Sequence, residues 1–337
     1  MNVSARSILH AITAGLIATL ATAAAWAQDR VAPRTAGDEP GVPPGYLVVE
    51  GDIVVPDDFY AERATYQTNQ WPNGIVPYEF DPNVSVANQA AMLGAMAVWE
   101  GIANVDFVVR SDEFNYLHIQ NSTGNNSLVG MWPIPGQAVN ILNWATGTMV
   151  HELGHALGLW HEQMRSDRDD FVQIEWDNIL PGQESDFAFY PGIPWPSNEY
   201  GPYDFGSIMH YGACAFSSCG GVCNCDNTNC RTITVLAPNG PAWQCTIGQR
   251  SSPSFWDSRI MSFLYPEPDW RFVDHVWTGT QKGTFLEPFQ TAVVGLSSTP
   301  SGGTLWIQPG SYLAAGTWSN AVTLRAPLGG VTLGIGN

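Results

Sequence analysis

The residues best suited to do chemistry lie between His151 and Asp170, in the run HELGHALGLWHEQMRSDRDD. His151 and His155 are four positions apart. On a helix that spacing puts both imidazoles on one face, where they can share a metal ion. Glu152 follows His151 directly. Rotated about the helix axis, it can reach a water beside the metal without becoming a ligand. Gly158 tolerates positive φ and lets the chain turn sharply, which brings His161 back as a third ligand. Three neutral imidazoles hold one zinc ion per chain and leave a fourth position open for water. Zinc lowers the pKa of such a water towards ~7, and Glu152 is placed to take its proton. His10, His118, His210 and His275 carry no comparable spacing and are read as structural.

The elements that must position this run are legible around it. Thr146 or Thr148 can cap a helix running to about Leu157, ended by Gly158. Gly74–Phe80 (GIVPYEF) reads as a core strand. Ser85–Ile102 reads as an amphipathic helix with Val86, Ala90, Leu93, Ala97 and Val98 near helical spacing. Asp106–Arg110, Tyr116–Gln120 and Ala138–Leu142 read as further strands. A last helix is expected around Pro253–Tyr265, capped by Ser251 or Ser252. Strands and helices in the first half, with irregular structure after them, predict an α+β domain over 64–270. Residues 271–337 form a small, all-β C-terminal appendage. Its strands, Gly303–Gln308, Ala321–Ala326 and Gly330–Leu333, alternate and are separated by Gly/Pro turns. This region reads either as the opening turns of a parallel β-helix or as a small β-unit packed on its neighbour.

The chain has 337 residues, with Lys+Arg 13 against Asp+Glu 31 and a formal net charge of −18. A balance this acidic argues against nucleic acid and against anionic membranes as partners, since both need clustered basic residues. Hydrophobic residues make up 45%, enough for a sizeable core. Charged residues reach only 13%, which disfavours a long exposed helical array. Residues 1–27 read as a secretory signal: Arg6, an apolar run from Ile8 to Ala25, and the small-x-small site Ala25-Trp26-Ala27. Residues 28–63 read as a pro-segment or linker with short extended stretches at Tyr46–Val49 and Ile53–Val55. The mature protein is therefore expected to be secreted. All six cysteines, Cys214, Cys219, Cys223, Cys225, Cys230 and Cys245, fall in one window. In an oxidising compartment they point to three disulfides, whose pairing the sequence leaves open, ahead of a second metal site.

The segment His161-Glu162-Gln163-Met164-Arg165-Ser166-Asp167-Arg168 resembles the astacin family of metzincins. So does Tyr203-Asp204-Phe205-Gly206-Ser207-Ile208-Met209-His210-Tyr211, which is similar to the family's Met-turn. Trp71-Pro72-Asn73-Gly74-Ile75-Val76-Pro77-Tyr78, Ala95–Trp99 and Ile247-Gly248-Gln249-Arg250 add to the match, which spans about 64–266. The resemblance implies a metzincin-like two-lobed catalytic domain with a twisted sheet and a zinc-site helix. It implies zinc on His151, His155 and His161, with Glu152 as general base and then proton donor. Met209 would form an apolar floor, and Tyr211 would stabilise the oxyanion. Glu162 would anchor the new N-terminus formed on activation. A protein or peptide substrate in extended conformation would pair with the sheet edge near Tyr116–Gln120, and the enzyme would act as a monomer.

Glu50-Gly51-Asp52-Ile53 resembles the family's pro-segment motif, in which an aspartate ligates zinc. By that likeness Asp52 is the zymogen switch, with removal near Arg63-Ala64. Two features depart from the family pattern. Val49 stands where an aromatic is usual, and no cysteine precedes Cys214. The cysteine cluster is instead expected beside the metal as a wall of the cleft. The predicted activity is that of a secreted zinc-dependent endopeptidase acting on extracellular proteins, with cell-wall peptides as another target of the same chemistry. The competing class is a zinc-stabilised extracellular binding or adhesion module with a glycan-contacting β tail. Such a module has no use for Glu152.

Overall fold

The computed structural model describes residue 42 and residues 44–56, 70–188, 200–314, 316–326 and 328–334. The predicted signal at 1–27 and the predicted removal point near Arg63-Ala64 lie outside the described residues. Among those described, no helix is long and apolar enough to cross a membrane.

A seven-stranded sheet backs the site. Its strands are β1 (Tyr46–Val49), β2 (Ile53–Pro56), β3 (Ile75–Phe80), β4 (Asp106–Val109), β5 (Leu117–Asn121), β6 (Asn126–Leu128) and β7 (Gln137–Ile141), in spatial order β1-β2-β6-β7-β5-β3-β4. β4, β3, β5 and β7 run parallel, and β6 is antiparallel to β7. Every residue of β7 is buried, as expected for a strand covered on both faces.

This order corrects one expectation. β5, which holds the Tyr116–Gln120 stretch, is hydrogen-bonded on both sides by β3 and β7 and has no free edge. Apart from the β1–β2 hairpin, the sheet's two rims are β4 and β6. The β1–β2 hairpin from the predicted pro-segment is laid against β6, with Ile53 beside Ser127 and Val54 beside Leu128 in parallel register.

Helix α1 (Val86–Glu100) is capped by Ser85, whose side chain accepts the Asn88 N–H. It buries Met92, Ala95, Met96 and Trp99. The predicted face does not fit, since Val86, Leu93 and Ala97 are exposed. The larger side chains decide the rotation. Each buried methionine contributes roughly 1.5–3 kcal/mol, and the Trp99 indole N–H donates to the Val150 carbonyl at 2.9 Å. That bond ties α1 to α2 (Thr146–Ala156), the helix carrying His151 and His155. Its N-cap is Ala145, and Thr146 is already helical. Gly158 takes φ +113° just past its end.

Below the cleft a second core gathers Val172, Ile174, Ile179, Phe187, Tyr203, Phe205, Tyr211, Ile233 and Ile247. It is built on the ribbon of β8 (Val172–Ile174) and β9 (Ile233–Val235). The short helix α3 (Gly240–Trp243) follows it. All six cysteines pair here: Cys214–Cys223, Cys219–Cys230 and Cys225–Cys245. With so few regular elements, these short-range links offset loop entropy that the ribbon alone would leave.

Helix α4 (Phe255–Leu264) starts later than predicted. Its cap is Ser254, in a capping box with Asp257, because Ser251 and Ser252 instead give their N–H groups to the Gln249 side chain. The C-terminal strands are β10 (Trp270–Val273), β11 (Thr304–Ile307), β12 (Gly310–Leu313), β13 (Thr323–Arg325) and β14 (Val331–Gly334). They pair β10-β11-β13 and β12-β14, all in parallel. Parallel stacking of successive short strands is solenoid geometry. A helix the strand pattern did not anticipate, α5 (Ala292–Ser298), joins them with a Thr291 cap. Phe263 of α4 packs with Phe272 and Trp306 of this unit, so the solenoid-like turns also sit on the neighbouring domain.

Candidate active site

His151 and His155 leave α2 one turn apart, and the Gly158 turn returns His161 to them. All three rings are buried. Each Nδ1 faces an acceptor. His151 donates to the Ile208 carbonyl and His155 to the Leu159 carbonyl, both at 2.8 Å, and His161 donates to Glu50 Oε2 at 3.0 Å. A proton fixed on Nδ1 leaves the Nε2 lone pair free. The three Nε2 atoms converge on the Asp52 carboxylate, at 3.2 Å for His151, 3.7 Å for His155 and 3.0 Å for His161.

The ligand atoms of these four residues lie within 4.8 Å of one another. His161 Nε2 and Asp52 Oδ1 are close yet make no hydrogen bond, and both are buried. Two buried polar atoms turned toward a shared centre fit a cation between them, and an imidazole–carboxylate donor set suits zinc. Burial pushes His151 down to about 3 and lowers His155, which keeps both rings neutral and able to ligate. Burial alone would raise Asp52. The facing His161, and then the other two imidazoles beside it, hold it well below the usual carboxylate range.

Glu152 is buried beside this centre, and its Oε2 has no hydrogen-bond partner. Burial, and then the Asp52 charge, push its carboxyl well above the ordinary value. A carboxylate so placed is a ready proton acceptor once a cation lies nearby. Met209 lies under α2. A Cβ on Gly154, between the two helical histidines, would come 2.9 Å from its sulfur. The turn that presents Met209 is held by Asp257, which accepts from Ser207 Oγ at 2.6 Å and from the Ile208 N–H at 2.7 Å. Tyr211 packs on the His161 ring at 4.7 Å, and its hydroxyl donates to the Glu50 carbonyl.

Glu162 is mostly buried and accepts the Asp204 N–H at 2.7 Å. Burial pushes its carboxyl up to about 8. It lines a cavity of about 150 Å³ together with Gly158, Tyr200, Trp256 and Leu264. Phe285 and Leu286 of the C-terminal unit line the same cavity. His210 and His118 are tied into the fold away from this centre. His210 Nδ1 donates to the Tyr211 carbonyl and its Nε2 accepts the Tyr203 hydroxyl, while His118 bridges Glu79 and Asp81. His10 lies outside the described residues.

Sequence reasoning assigns no role to Glu50, Arg250, Gln163 or Asp257. Glu50 is fully buried against His161. Gln163 accepts the Tyr211 N–H at 2.9 Å. Arg250 is a largely buried cation that feels both Asp52 and Glu152 and donates to the His210 carbonyl. Only Asp257 has a local signal, the S-x-x-D capping pattern. The others depend on contacts between residues far apart in the chain.

Comparison with known proteins agrees with this geometry. The sequence model of the Astacin peptidase family matches residues 63–266. High choriolytic enzyme 2 of Oryzias latipes is 35% identical over 229 residues, covering 65% of this chain and 75% of the relative. An astacin-like metalloendopeptidase of Coturnix japonica is 36% identical over 231 residues, covering 64% of this chain and 50% of the relative. The solved structure of high choriolytic enzyme 1, a hatching-enzyme zinc-protease from Oryzias latipes, aligns with a TM-score of 0.50 and 33% identity. That alignment covers 61% of this chain and 96% of that chain.

Proposed function

This chain belongs to the astacin family and is a zinc metalloendopeptidase; from there we propose that it is a secreted zymogen, held latent by Asp52, that hydrolyses extracellular proteins. The observation that carries the reading is the convergence of three histidine Nε2 atoms beside Glu152, whose buried Oε2 has no hydrogen-bond partner. His151, His155 and His161 hold the zinc. When bound, zinc supplies a Lewis acid that polarises the scissile carbonyl and acidifies a water. Glu152 takes one proton from the attacking water as its oxygen bonds to the carbonyl carbon. It then passes that proton to the leaving nitrogen as the C–N bond breaks. Tyr211, once free of the Glu50 carbonyl, donates its hydroxyl to the oxyanion. The backbone of β6 pairs with an extended substrate.

The placing of residues 46–56 supports latency. β2 covers the rim of β6, the Ser127 N–H donates to the Asp52 carbonyl at 2.9 Å, and the Asp52 carboxylate faces all three Nε2 atoms. Val49, in place of the usual aromatic, is buried with Leu47, Ile53, Val55 and Val129. A protein-degradation assay on the activated chain tests the reading. Cleavage is expected, with loss on chelation and recovery when zinc is returned. A binding or adhesion module would take up zinc and cut nothing.

The cavity beside Glu162 suits the ammonium of a new N-terminus. The described chain resumes at Gln70, whose amide donates to the Leu264 carbonyl, and Leu264 lines that cavity. Residues 64–69 can span up to roughly 20 Å, enough to return there. Glu162→Gln keeps an acceptor for the Asp204 N–H, so the unprocessed chain should melt almost as the wild type does. The processed chain loses an ion pair, and its Tm should fall by about 2–4 °C. An equal fall in both forms would mean a structural role only.

A further inference from the structure

We propose that Phe216 is a specificity residue that limits the size of the substrate side chain held beside the scissile bond. The proposal rests on the protease reading above and concerns the wall of the cleft opposite β6.

The slot is one backbone thick at this level. Gly51, the neighbour of the residue seated among the three histidines, lies with φ +77°. A Cβ built on it would stand 2.5 Å from Phe216 Cζ, 2.8 Å from Phe216 Cε2 and 2.8 Å from Tyr211 Oη. Those separations are far inside contact distance, so only glycine fits. On the other side, the backbone of the adjoining Asp52 is already bonded to Ser127 at the start of the β6 rim. Any chain that crosses between β6 and the Tyr211 hydroxyl meets the same ring.

The ring is held in place. Phe216 itself has φ +48°, a left-handed conformation that a bulky residue adopts only when its surroundings impose it. Its carbonyl accepts the Leu180 N–H at 2.8 Å, and Ser217 bridges to Ile179. Ser217 Oγ donates to the Cys230 carbonyl at 2.6 Å. Cys214–Cys223 and Cys219–Cys230 close the loop around it. The fully buried Phe187 backs both the Phe216 and Tyr211 rings, at 6.2 and 5.6 Å between centroids. A wall braced in this way excludes a side chain sterically. Yielding would break the brace.

The test is a cleavage-site profile of the activated full-length chain on a peptide library, for wild type, Phe216→Ala and Phe216→Leu. Wild type should favour Gly, Ala or Ser at one position within two residues of the cut. In Phe216→Ala the ratio of kcat/KM for a Leu-bearing to an Ala-bearing peptide at that position should rise at least about tenfold, with Phe216→Leu between. Profiles at the other positions should keep their shape. Two results would overturn the proposal: a wild type that accepts bulky residues at every position near the cut, or a Phe216→Ala profile scaled down uniformly. Absence of any cleavage by wild type is a third, separate outcome. It removes the protease reading and this proposal together.

Discussion

Glu152→Gln in the activated chain is expected to lower kcat by about a thousandfold, close to 4 kcal/mol of barrier, while zinc content stays at one per chain. The reason is in the geometry. Glu152 shares no hydrogen bond at Oε2 and is buried beside the three histidines without joining their ligand group. Glutamine has nearly the same shape, so the fold and the metal site persist. It cannot accept a proton from water or deliver one to the leaving amine. Both steps fail together, which is why the loss should fall on kcat rather than KM. Metal analysis beside the kinetics decides the matter. Should Glu152→Gln keep its zinc and cut at a rate near wild type, another group must be the base. Should it lose the metal, its role is structural and the assignment fails.

The second large effect concerns latency. Unprocessed Asp52→Ala should cleave protein at least about tenfold faster than the unprocessed wild type. The Asp52 carboxylate lies within reach of all three Nε2 atoms, and alanine opens that position. The gain should remain below full activity, because the hairpin still buries Leu47, Val49, Ile53 and Val55 against Val129 and Trp160. After processing, wild type and variant should become identical, since residue 52 leaves with the pro-segment. A variant as silent as the unprocessed wild type would place latency in the covering of β6 alone. A difference that persists after processing would show that Asp52 affects folding.

How far the chain announces these properties depends on the distance over which each is encoded. His151, Glu152, His155, Gly158 and His161 lie within one helix and one turn. Their spacing, together with helical periodicity and the positive φ that glycine allows, suffices to assemble the site before any tertiary contact is known. The Gly74–Phe80 strand and the zinc helix are equally local. So is the three-disulfide count, from an even number of cysteines in one window.

Other properties require the folded chain. Apolar spacing points to the wrong face of α1 because it does not weigh Trp99 and the methionines against Val86 and Leu93. The packing partner, Val150, lies far along the chain. The sheet edge is misplaced in a reading of the sequence because strand order is a property of the sheet, and β6, only three residues long, carries no strand pattern of its own. The pairing of the cysteines stays open for the same reason. The sequence by itself determined the reaction chemistry, through residue types at helical spacing. Only the tertiary structure decided what surrounds it: the buried Glu50 and Arg250 around the metal centre, the β6 rim beside it, and the Phe216 ring. Those depend on burial and on contacts between distant residues, and neither is written in the local spacing.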